Sequence, residues 1–83
     1  MKRKDRQLIP PSLNSSLPII EITGNKEITI EGSTGVLKYQ EDNIKVNTKS
    51  VVISVKGRGL KLKYLSSSAL IIEGTVLCLE FIM

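Results

Sequence analysis

From Leu17 to the end of the chain, apolar side chains recur at every second position and no stretch carries a helical period. Side chains two apart on an extended strand share a face, so this alternation restricts the fold to β-sheet with one greasy side. The clearest instance is 51–65, where Val51, Ile53 and Val55 alternate, then Leu60, Leu62 and Tyr64 do the same, on either side of Gly57-Arg58-Gly59. It reads as a β-hairpin, because glycine supplies the positive φ that a tight connection needs.

The same pattern fills the remainder. Ile20 and Ile22 alternate within 18–23, Ile28 and Ile30 within 27–31, Leu37 and Tyr39 within 36–40, and Ile44 and Val46 within 44–48. Past the central pair of runs, Ser66-Ser67-Ser68 precedes 69–73 with Leu70 and Ile72, and Gly74-Thr75 leads into 76–82 with Leu77 and Leu79. Turn residues separate all of these runs, and Val, Ile and Thr are common within them, as strands prefer. A flat sheet of so many short strands would leave an apolar face in water. The sequence therefore predicts an all-β fold, a small antiparallel β-sandwich of about seven to eight short strands, with a β-roll or small barrel as the alternative. The residues just named, with Ile53, Val55, Leu60 and Leu62, form its expected core.

At 83 residues the chain makes one small domain, near the lower limit for a self-sufficient core, so partners or self-association are expected. Only three residues are aromatic, which makes that core aliphatic. The net charge of +4 is unevenly spread: residues 2–6 carry +3 of it, leaving +1 for everything else. Residues 1–16, basic and then rich in Pro and Ser, read as a flexible leader, and 17–83 as a single β domain. The basic start runs into Gln7-Leu8-Ile9-Pro10-Pro11 with no apolar h-region, so no secretory signal is expected. No run approaches the roughly 20 apolar residues of a membrane-spanning helix. Cys78 is the sole cysteine, which excludes an internal disulfide and fits a cytosolic thiol.

The sequence contains no histidine. The usual general base and metal ligand are thereby missing, neither a Ser-His-Asp nor a Cys-His nucleophile can be assembled, and no catalytic residue, metal ligand or cofactor site is expected. Glu21, Glu27, Glu31, Glu73 and Glu80 fall at outward strand positions, as a solvated face requires. Cys78 in its apolar strand reads as a small buried hydrophobe before it reads as a reactive thiol. What stands out is a basic stripe, Lys45, Lys49, Lys56, Arg58, Lys61 and Lys63, with no acid between Ile44 and Tyr64. Such a stripe can guard sheet edges, or it can hold an acidic protein, an anionic membrane or a nucleic-acid backbone. Stacking aromatics are absent from that face, which disfavours single-stranded nucleic acid. The last run, 76–83, is apolar on both faces, so it is either covered on both sides or covered by another chain. The candidate interaction surface is accordingly Lys45, Lys56, Arg58, Lys61, Lys63, Val76, Cys78 and Ile82.

The order of these pieces resembles the YabP/YqfC family of sporulation proteins, and its YqfC branch in the short basic leader. The likeness rests on Leu17-Pro18, Gly24-Asn25 followed by Glu27, Ile30-Glu31 with Gly35 and Tyr39, and Ile44-Lys45-Val46-Asn47-Thr48. It continues through Gly57 to Leu60-Lys61-Leu62 with Leu65, then Leu70-Ile71-Ile72-Glu73-Gly74 and Leu79-Glu80-Phe81. The resemblance implies a non-enzymatic structural or adaptor protein of the mother cell during endospore formation. It implies a cytoplasmic location, with a peripheral position at the forespore membrane as a variant, and work alongside a membrane-associated sporulation protein. A homo-oligomer and contact with anionic lipid are compatible with it. A different class stays open, a nucleic-acid or small-ligand binding module using the basic stripe.

Overall fold

A computed structural model describes residues 17–83; the leader expected over 1–16 lies outside them. Six strands follow in chain order: β1 (Ile19–Thr23), β2 (Glu27–Glu31), β3 (Ser33–Gln40), β4 (Asn43–Thr48), β5 (Val52–Leu65) and β6 (Ala69–Ile82). They form one open antiparallel sheet in the order β1-β2-β6-β5-β4-β3, with no helix among the described residues. The all-β expectation holds, whereas two packed sheets and seven to eight strands do not: there is one sheet of six.

The difference lies at two glycine stretches. Gly57-Arg58-Gly59 does not turn the chain, and Gly74-Thr75 does not break it; β5 and β6 run straight through as two 14-residue strands paired along their length. Opposite Thr75 and Glu73 stand Arg58 and Lys61, so β5 carries an extra residue there, a β-bulge with Gly59 at φ +59°. Lys56 and Gly57 face Cys78 and Val76, so Leu77 is the extra residue on β6. The backbones come very close at this point. A Cβ on Gly57 would collide with the Thr75 carbonyl oxygen, and one on Gly74 would lie 2.7 Å from the Gly59 oxygen. Glycine is thus selected here for close approach in a bend, where the sequence pattern suggested a hairpin turn.

The core shows what the bend accomplishes. Ile28 and Ile30 on β2, Leu70 and Ile72 on β6, Leu60 and Ile53 with Val55 on β5, and Ile44 with Val46 on β4 are buried in one cluster. β2 and β4 are separated by two strands in the sheet, yet their apolar residues share that cluster without any helix to cover them. A single sheet can achieve this only by curling over its own face. Burial of each such side chain contributes on the order of 1.5–3 kcal/mol, which makes this face the main source of stability.

Bulges also correct the expected core. Val36 pairs with Val46 and Lys38 with Lys45, so Leu37 is the extra residue of β3; it is 60% exposed, while Val36 packs on the core. At Leu77 the same slip occurs: that residue is 61% exposed and its neighbour Val76 packs inward. One extra residue reverses the facing of everything beyond it, and alternation alone does not reveal where it falls. Ile22 and Tyr39, also expected inside, are exposed at the rim.

Candidate interaction surface

The outward face of β4, the first half of β5 and the second half of β6 gathers four of the expected surface residues. Lys56 is registered with Cys78, Val52 with Ile82, and Lys45 with Ser54, which in turn meets Glu80. Lys45, Lys56, Cys78 and Ile82 therefore share one face. Asn43 fixes the floor of this face, its Nδ2 donating to Ser54 Oγ at 3.0 Å and to the Val55 carbonyl at 3.0 Å. Ser54 is fully buried beneath its longer neighbours. Cys78 is exposed, not the buried hydrophobe that its apolar neighbours suggested.

The other four lie elsewhere. Lys61 and Lys63 belong to the far half of the folded sheet, Arg58 sits exposed at the bulge, and half-buried Val76 packs against the core. Nor does the stripe stand without counter-charge: Lys56 meets Glu80 at 3.2 Å, Lys61 meets Glu73 at 3.5 Å, and Lys63 donates to Glu27 at 2.9 Å. These acids are remote in sequence, and register alone brings them across. The Glu27 hydrogen bond and negative charge, helped by Glu73, raise the Lys63 pKa above the ordinary 10.5. Among the described residues Lys45 and Arg58 join no ion pair, and Lys45 stands directly opposite Lys38 in the β3–β4 ladder. Two like charges opposite one another cost stability, so Lys38 is a cationic contributor that sequence spacing missed.

Also missed was a strand edge. β2 pairs only with Ala69–Glu73 of β6, and the adjoining turn makes the last contacts, Gly74 N to Lys26 O at 3.0 Å and Val76 N to Asn25 O at 2.7 Å. Beyond them no described strand pairs with Leu77–Ile82 on the side away from β5. Leu77, Phe81, Ile82 and Met83 are exposed along it. Phe81 and Met83, with Leu17, Pro18, Ile20 and Val51, line an apolar groove of about 510 Å³ between this edge and β1. A second hollow, about 480 Å³, lies between Tyr39, Glu41 and the Gly59–Lys61 bulge; Leu62 N donates to Tyr39 Oη beside it at 3.1 Å. Glu41 is the one carboxylate lining it. No His, Cys, Asp or Glu cluster suited to a metal occurs among the described residues.

The YabP family model matches residues 16–82, which takes in all six strands and both long bent ones. The chain belongs to this family. A family relative in Bacillus subtilis (strain 168), described as "Uncharacterized protein YqfC", is 28% identical over 68 residues, covering 82% of this chain and 73% of the relative. Membership thus attaches to the β body and its long bent pair, which carry both the cationic face and the free edge.

Proposed function

We propose that this YabP-family chain is a non-enzymatic adaptor of endospore formation, which docks in the mother cell on a membrane-associated sporulation protein. Family membership suggests the sporulation setting. The observation that carries the docking role is the unpaired β6 segment with exposed Leu77, Cys78, Phe81 and Ile82 beside a face bearing Lys38 and Lys45. Exposed apolar side chains on a strand edge mark a surface that another chain covers. The neighbouring lysines suit the negative potential of a lipid leaflet at the same location, a contribution that salt weakens. Pairing of Lys56, Lys61 and Lys63 with glutamates leaves less free charge for a phosphate backbone, which favours this reading over nucleic-acid binding.

The test is co-purification from sporulating cells with membrane proteins, together with binding to anionic liposomes at low and high salt. The expected result is a stable membrane-protein complex and lipid binding that fades as salt rises. No stable association in either assay refutes the reading.

A further inference from the structure

Resting on that docking surface, we propose that its first occupant is a second copy of this chain, joined antiparallel through the free edge of β6 into a continuous sheet across a two-fold axis. The sheet's other edges are guarded. β1 begins after Pro18 and carries Glu21; β3 is irregular, with two register shifts and Lys38. Along the second half of β5, Leu60 N donates to Glu41 O and Leu62 N to Tyr39 Oη, which leaves only the three-residue end Lys63–Leu65, itself carrying a lysine. Bulges, prolines and charges of this kind keep edges from pairing. From Val76 to Met83 there is no proline, glycine or lysine, and the single charge, Glu80, is already held by Lys56. This is the sheet's open template for another strand, and an antiparallel strand is its own complement about a two-fold axis.

The charge pattern selects the register. Glu80 shares its face with Cys78 and Ile82, while Leu79 and Phe81 are registered with Val55 and Ile53 on the opposite face, so an axis that keeps faces aligned must pass through a residue. An axis at Glu80 would set two carboxylates against each other. An axis at Leu79 sets each Glu80 opposite Cys78 of the second copy, in the row of that copy's Lys56, so each carboxylate gains a second cation. Each small cysteine leaves room for it. This register separates the two Cys78 Cα atoms by two residues along the strand and one strand spacing across, about 8 Å.

The experiment is light scattering of the full chain over a wide concentration range, with Leu77→Lys and Ile82→Lys as edge variants. Both residues are exposed, and circular dichroism confirms that each variant retains its β signal. The expected result is a twofold mass for the wild type, the monomer mass for the variants, and a covalent dimer when native Cys78 meets a short bis-maleimide of about 8 Å reach. A wild type that stays monomeric throughout, or folded edge variants that dimerise as well as the wild type, overturns the proposal. A monomeric wild type that still co-purifies with a membrane protein removes only the dimer; a dimer that captures nothing removes only the adaptor role.

Discussion

Gly57→Ala is the most searching test of the bend, because the substitution adds one methyl group where two strands nearly touch. The new carbon would enter the van der Waals shell of the Thr75 carbonyl oxygen and lie 3.0 Å from the Thr75 carbonyl carbon and 3.1 Å from Leu60 Cδ2. Two of those three atoms belong to backbone that the β5–β6 ladder pins in place, so relief requires opening the ladder between Gly57 and Val76. Overpacking costs about 1–3 kcal/mol, and each ladder hydrogen bond lost adds about 0.5–1.5 kcal/mol. A total of about 2–5 kcal/mol stands against a folding free energy of roughly 0.05–0.15 kcal/mol per residue, or about 3–10 kcal/mol for a body this short. Urea unfolding followed by circular dichroism should show the midpoint falling by about 2 M or more, given a slope near ~1 kcal/mol per M for a domain this small. Gly59→Ala meets nothing within 4 Å but inherits φ +59°, which costs about 1–2 kcal/mol. Gly35→Ala has neither obstacle and should be neutral or slightly stabilising. A Gly57→Ala midpoint indistinguishable from wild type, or a Gly35→Ala loss as large as that of Gly57→Ala, would refute the account of the bend.

Two further expectations concern polar groups on the outward face. Asn43→Ala strands Ser54 Oγ and the Val55 carbonyl without their shared donor and should cost about 1–3 kcal/mol by urea unfolding, with the loss shrinking in the Ser54→Ala background. Glu27→Gln should bring the Lys63 pKa, read from its side-chain carbon shifts by NMR, down toward 10.5. Because the folded value is raised, the stability this lysine contributes is complete below 10.5 and disappears as pH rises through the higher folded value; the glutamine variant should lose that alkaline dependence.

Most of the local structure was legible because period-two alternation is a physical instruction. Ile28, Ile30, Ile44, Val46, Ile53, Val55, Leu60, Leu70 and Ile72 all lie where that period places them, buried on one face. Composition and charge likewise separated the basic residues 2–6 from a near-neutral body. Of the candidate surface, Lys45, Lys56, Cys78 and Ile82 do converge, because parity assigns outward positions as firmly as inward ones.

Tertiary pairing decided what a one-dimensional pattern cannot contain. Whether Gly57-Arg58-Gly59 reverses the chain or bends it depends on what lies opposite, and the close approach of Thr75 makes it a bend within one long strand. The extra residues at Leu37 and Leu77 exchange inside for outside with their neighbours Val36 and Val76, since one unpaired residue flips all that follows. Glu27, Glu73 and Glu80 reach their lysines through strand register alone, and the free edge at Leu77–Ile82 exists because β2 begins only at Glu27, opposite Glu73. The alternation of side chains is a local property and survives in the sequence; the length, neighbours and edges of strands are properties of pairs, and only the folded sheet fixes them.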